Sequence, residues 1–166
     1  MIRRSLLWVV FAAGTVVAAD LGQGIALLKE GKYAEATPIL EKAVADDGNS
    51  AEARIALAEA YLHQKQVDRA AEQIQSEAVI NSNHPDLAFV RGAIAVSRKQ
   101  YDKALPDLEA VIERDPEKAY AHYYAGLAYS HAKRPDKMME CFNNFLRLKP
   151  DAPEAEKVRS FMRVSR

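Results

Sequence analysis

Apolar residues along this chain fall in stripes of helical spacing, and the stripes recur. Ala104, Leu108, Val111 and Ile112 follow at intervals of four, three and one, the mark of a helix with one buried face. Pro116 and Pro150 lie 34 residues apart, and each closes an amphipathic run, AVIERDP and FLRLKP. Cutting the chain at that period gives blocks 17–50, 51–84, 85–118 and 119–152 with no insertion. The columns then agree. Gly24, Ala58, Gly92 and Gly126 are all small, three residues ahead of Leu27, Tyr61, Ala95 and Tyr129. Tyr33, Val67 and Tyr101 align, as do Ala36, Ala70 and Ala104, then Leu40, Ile74, Leu108 and Phe142. Each block therefore reads as a helical hairpin, with the small column letting the second helix approach the first closely.

The polar positions predict where the helices start. Asp68, Asp102 and Asp136 precede the second stripes and are expected to cap those helices, with Pro135 just outside. Pro38 and Pro106 are expected in the first turn or so, where a missing N–H is best tolerated. Asp20 and Gln23 have capping-box spacing. After Pro153, Ala155, Val158, Phe161 and Met162 form one apolar face, a helix over 153–166 that would cover the last hairpin.

This pattern resembles the tetratricopeptide repeat family over nearly all of residues 20–152. Block 85–118 is the clearest: Gly92, Tyr101, Ala104, Leu108 and Pro116 stand where the family carries small, aromatic, small, large apolar and proline. The resemblance implies an all-α protein, a right-handed superhelical solenoid of four hairpins with a C-terminal capping helix. The sequence departs from the family at its early aromatic, replaced by Asp20, Arg54, Ala88 and His122. Met138 and Phe145 replace small residues, and Glu77 enters an apolar column, which predicts looser packing around residues 74–84.

Residues 1–19 read differently. Arg3 and Arg4 precede the uncharged run from Leu6 to Val17, then Val17-Ala18-Ala19 offers small residues at a cleavage site. That is the order of a secretory signal peptide, too short for the roughly 20 residues that span a bilayer. Export, to the periplasm for a bacterial chain, is the expectation. Cleavage after Ala19 would leave 21 basic against 23 acidic side chains, a net charge of −2, with no basic patch suited to nucleic acid.

Candidate chemistry is sparse. His63 and His131 share a column two repeats apart, too far to share a metal at helix spacings of about 8–10 Å. His122 reads as a buried structural residue and His84, beside Pro85, as part of a turn. Cys141, the single cysteine, reads as a small hydrophobe, with a thiol available to a partner as the sharper reading. No phosphate-binding glycine loop, HExxH pair or serine elbow occurs, so no catalysis, cofactor, metal or small-molecule substrate is expected.

In the resembled family the first helices line a concave groove that receives partner segments. The positions here that match are Leu21, Ile25, Leu28, Ile55, Leu62, Phe89, Val96, Tyr120, Tyr123 and Leu127, with Phe89 and Tyr123 at the expected centre. The family's lysine, arginine and asparagine clamp for acidic C-termini is absent. The resemblance thus implies a protein or peptide partner with apolar or aromatic anchors, within cell-envelope or secretion assembly. Pilotin-like members carry a lipidation cysteine that this chain lacks. The alternative is a structural protein that self-associates.

Overall fold

A computed structural model describes residues 20–164, all of whose regular elements are helical, in two compact units, residues up to His84 and from Pro85 onward. The expected signal segment, 1–19, and the end of the tail lie outside the described residues. The first unit holds α1 (20–29), α2 (Tyr33–Asp46), α3 (Ala51–His63), α4 (Val67–Ile74) and α5 (Glu77–Ile80). The second holds α6 (Leu87–Ser97), α7 (Tyr101–Arg114), α8 (Ala119–His131), α9 (Pro135–Leu148) and α10 (Ala155–Val164). In each hairpin a leading helix (α1, α3, α6, α8) is answered by a returning one (α2, α4, α7, α9).

The small column does what its composition predicts. A Cβ built on Gly92 would lie 2.8 Å from Leu108 Cγ, one on Gly24 2.6 Å from Leu40 Cδ2, and one on Gly126 2.5 Å from the Phe142 ring. Leading and returning helices touch there, backbone against side chain, and Leu40, Leu108 and Phe142 are fully buried by that contact. Each such side chain contributes about 1.5–3 kcal/mol through apolar burial.

The turns within hairpins share one geometry. The fifth-neighbour bonds Lys32 N–H to Leu27, Gln66 to Tyr61, Gln100 to Ala95 and Arg134 to Tyr129 close each leading helix in a left-handed cap. The left-handed residue is Gly31 in the first turn but Lys65, Lys99 and Lys133 in the others, at φ 61°, 60° and 54°. A side chain in that conformation costs roughly 1–2 kcal/mol, which glycine would avoid.

This compact turn moves the expected caps. Lys32, Gln66, Gln100 and Arg134 end the turn and at once begin the returning helix, with no side-chain cap bond. Asp68, Asp102 and Asp136 are therefore inside the helix as its second residue, where a carboxylate favours the positive helix end without capping it. Pro135 is the first helical residue rather than an outside one. Asp20 is already helical, and its carboxylate takes the Lys42 ammonium instead of joining a capping box. Pro38 and Pro106 sit beyond the first turn, five residues after Tyr33 and Tyr101. Both are exposed, so water can serve the carbonyls they leave unpaired.

The expected looseness near residues 74–84 takes the form of a break. α4 ends after 8 residues, Ser76 turns extended at ψ 145°, and the four-residue α5 follows. Val79 is buried, but Ile80 is 62% exposed and the buried Ser76 Oγ has no hydrogen-bond partner. Such a group costs about 1–3 kcal/mol. At the other end Ala155, Val158 and Met162 of α10 are buried, while Phe161 stays 41% exposed with its ring edge-on to Phe142.

Candidate functional site

α8 is an alanine-rich helix, AYAHYYAGLAYSH, buried on the side carrying Ala121, Ala125, Ala128 and Tyr129. Its other stripe is Tyr120, Tyr123, Leu127 and Ser130, at spacings of three, four and three, all half-buried. Phe145 of α9 underlies this stripe, its ring 5.7 Å from Tyr120 and 5.2 Å from Tyr123. Tyr120 and Tyr123 meet edge to face, and Tyr124 continues the cluster to Phe89 on α6, at 6.1 Å. Large Phe145, in a column where the family keeps small residues, packs against both tyrosine rings. Tyr120 donates a hydrogen bond to Glu154 Oε2 at 3.1 Å. Burial, and then the nearby Glu154 carboxylate, raises the Tyr123 hydroxyl above the ordinary tyrosine pKa. The stripe presents apolar rings with polar tips, a surface that hydrates poorly and can still accept or donate at its edge.

The ten expected site residues divide. Leu21, Ile25 and Leu28 on α1 and Tyr120, Tyr123 and Leu127 on α8 are half-buried. Ile55, Leu62, Phe89 and Val96 are 1%, 5%, 1% and 6% exposed, so the structure corrects their assignment to a partner-facing groove: they are core. The reason for Phe89 is specific. Its ring is covered by Tyr124 on one side and by the Lys118 ammonium, 4.6 Å from the centroid, on another. Phe89 and Tyr123 are accordingly not equivalent, although 34 residues separate them.

Polar devices that the periodicity did not reveal join neighbouring hairpins, once in each unit. Tyr61 donates to Glu41 at 2.6 Å under the Arg69 guanidinium, and Tyr129 donates to Glu109 with Lys137 at its ring. Burial, then the carboxylate, pushes Tyr61 up to about 12 and Tyr129 higher still. Tyr33 stacks on His63 and Tyr101 on His131, each pair at 3.9 Å with nearly parallel rings. In the early-aromatic column, Arg54 Nε donates to Gly48 O at 2.8 Å and His122 Nε2 lies 2.9 Å from Pro116 O. Each holds the turn six residues upstream, a polar solution where the family uses an aromatic.

His122 is buried, and Cys141 is buried with its thiol pushed up to about 11 by that burial, so it is a poor nucleophile at neutral pH. Among the described residues no group of three or more His, Cys, Asp or Glu could hold a metal ion, and no helix is long and apolar enough to cross a membrane.

No curated protein matches the sequence significantly. Among solved structures, a mutant form of MamA superposes with a TM-score of 0.62 at 25% identity, covering 90% of this chain and 87% of that one. MamA from Desulfovibrio magneticus RS-1 gives 0.58 at 26%, covering 89% and 84%. Pseudomonas aeruginosa PilF gives 0.59 at 24%, covering 92% and 72%, a likeness of fold alone. Two family models described as tetratricopeptide repeat match residues 27–86 and 89–153. With helical hairpins at a 34-residue period and two family models covering most of its length, the chain belongs to the tetratricopeptide repeat family, whose members serve as a rule as protein-interaction scaffolds.

Proposed function

We propose that this scaffold is exported and works in the cell envelope, where the α8 stripe of Tyr120, Tyr123 and Leu127 receives an apolar or aromatic segment of a partner protein. The observation that carries this reading is the half-burial of that stripe over Phe145. Aromatic side chains give a partner large contact area and lose little conformational entropy on binding. Leu21, Ile25 and Leu28 on α1 offer a smaller aliphatic stripe of the same kind in the first unit. Export rests on the charged, apolar and small-residue order of residues 1–19. Cleavage after Ala19 removes Trp8, the sole tryptophan. Protein recovered from the envelope should begin at Asp20 and emit as tyrosine; tryptophan emission would overturn cleavage.

The binding test places a photo-crosslinking amino acid at Leu127 and, as control, at Lys157 on α10, in cells producing the full chain. A discrete adduct from Leu127 alone, lost on Tyr123→Ala with the thermal melt intact, supports the reading. Equal adducts from both positions, or a Tyr123→Ala melt as damaged as that of a core variant, overturns it. A second reading, self-assembly, has the exposed Phe161 at the end of the second unit in its favour. Light scattering over a concentration series separates the two, since the adaptor stays monomeric.

A further inference from the structure

A cavity of about 320 Å³ opens between the two within-hairpin turns of the second unit, away from the α8 stripe. Lys99 lines it from the turn, Asp102 and Lys103 from the start of α7, and His131 from the end of α8, with the stacked Tyr101–His131 rings as a flat wall. Several basic side chains among the described residues have an acidic partner, among them Arg69, Arg91, Lys118, Lys137 and Arg147. Lys99, Lys103 and neighbouring Lys133 have none among the described residues. The acid of this unit includes Asp115, Glu117, Asp151 and Glu154, in the connections at the opposite ends of its helices. Lys99 and Lys133 also hold the left-handed position that Gly31 fills in the first turn, so charge stands where backbone preference alone selects glycine.

We infer that this cavity receives a glutamate or aspartate side chain from an acidic segment of a partner protein. Two ammonium groups and one carboxylate give the cavity walls a formal charge of +1, which suits a monoanionic carboxylate better than a phosphate dianion. The ring wall takes the apolar stem of the incoming side chain, and the lysines take its head. This surface is separate from the α8 stripe, so either reading can fail without the other.

The probe is a fluorescein-labelled hexaglutamate peptide, followed by anisotropy against the full mature chain at 20 and 300 mM NaCl. Saturable binding at low salt is expected, with hexaglutamine silent and inorganic phosphate a weak competitor. Lys99→Glu with Lys103→Glu should weaken binding at least tenfold. The charge-matched control Lys149→Glu with Lys157→Glu, both exposed and unpaired, should change it less than twofold. Lys99→Gly separates turn from site: it should raise the melting temperature while weakening binding. The inference is overturned if hexaglutamate fails to bind, if both double variants lose affinity equally, if Lys99→Gly binds as well as wild type, or if phosphate competes as strongly as glutamate. It is also overturned if the chain alone self-associates in sedimentation at low salt and the Lys99/Lys103 variant does not, since a second copy would then fill the cavity.

Discussion

The two units are built from the same instructions and end differently. Gly24 and Gly92, Tyr33 and Tyr101, Glu41 and Glu109, Tyr61 and Tyr129, His63 and His131 all correspond at a shift of 68 residues, and each pair does the same job. At a shift of 34 these positions hold Val67, Gln75, Ala95 and Ser97, which can form neither the stack nor the tyrosine–glutamate bond. The effective repeat is thus a pair of hairpins, joined by polar side chains over a common apolar core. The divergence lies in the fourth hairpin set against the second. Where α9 continues unbroken through buried Phe142 and Phe145, its counterpart stops at Ile74 and restarts at Glu77. Phe145 of the continuous helix corresponds to Glu77 at the restart of the broken one, one of several differences between the two segments.

That contrast can be tested where it is widest. Phe145→Ala should cost about 3–5 kcal/mol in urea unfolding, whereas its counterpart Glu77→Ala should stay within about 0.5 kcal/mol. Equal effects would mean that Phe145 does not hold the second unit together. Next come the close approaches. Gly92→Leu should cost roughly 1–3 kcal/mol by overpacking against Leu108, and Lys103→Leu on the exposed side should be nearly silent. Gly126→Ala should cost more than Gly92→Ala, because the Phe142 ring it meets is stiffer than the tip of Leu108; melts of the two alanine variants in the reverse order would reject that account.

Smaller effects sharpen the likeness between units. Tyr61→Phe and Tyr129→Phe should each cost about 1 kcal/mol, the usual scale for a hydrogen bond, and a double-mutant cycle with Glu41→Gln should show coupling at Tyr61. The pH dependence follows in sign. Tyr61 is pushed up to about 12, against about 10 unfolded, so between these values the folded state keeps a proton that the unfolded chain has released. Its contribution is full below pH 10 and fades as pH rises toward 12; Tyr61→Phe should flatten that part of the alkaline stability profile. Smallest of all, His63→Ala and His131→Ala should each lose about 0.5–1 kcal/mol of stacking, alike in both units if the pairs are purely structural.

Much is legible in the sequence alone. The 34-residue period, the close approach at Gly24, Gly92 and Gly126, and the buried face of α10 at Ala155, Val158 and Met162 follow from spacing and side-chain size. Those are properties of one helix, or of two helices joined by a short turn, so local pattern carries them. The expected capping aspartates lie two residues past the observed caps because the left-handed turn leaves no room between helices, and periodicity is blind to that geometry. Phe89 failed for another reason: spacing assigns it a face, but Tyr124 and Lys118 cover that face from the next hairpin.

By itself the sequence determined that there are hairpins, where they turn and which small residues let them close. Those choices rest on backbone sterics and on helical periodicity, both written in neighbouring residues. Only the tertiary structure decided which leading-helix residues stay available to a partner. Availability depends on side chains outside the leading helix: on its own returning helix, such as Phe145 beneath Tyr123, or on the next hairpin, such as Tyr124 against Phe89. It likewise decided the tyrosine–glutamate and tyrosine–histidine pairs, whose members lie 20 and 30 residues apart and meet only when one hairpin packs on the next.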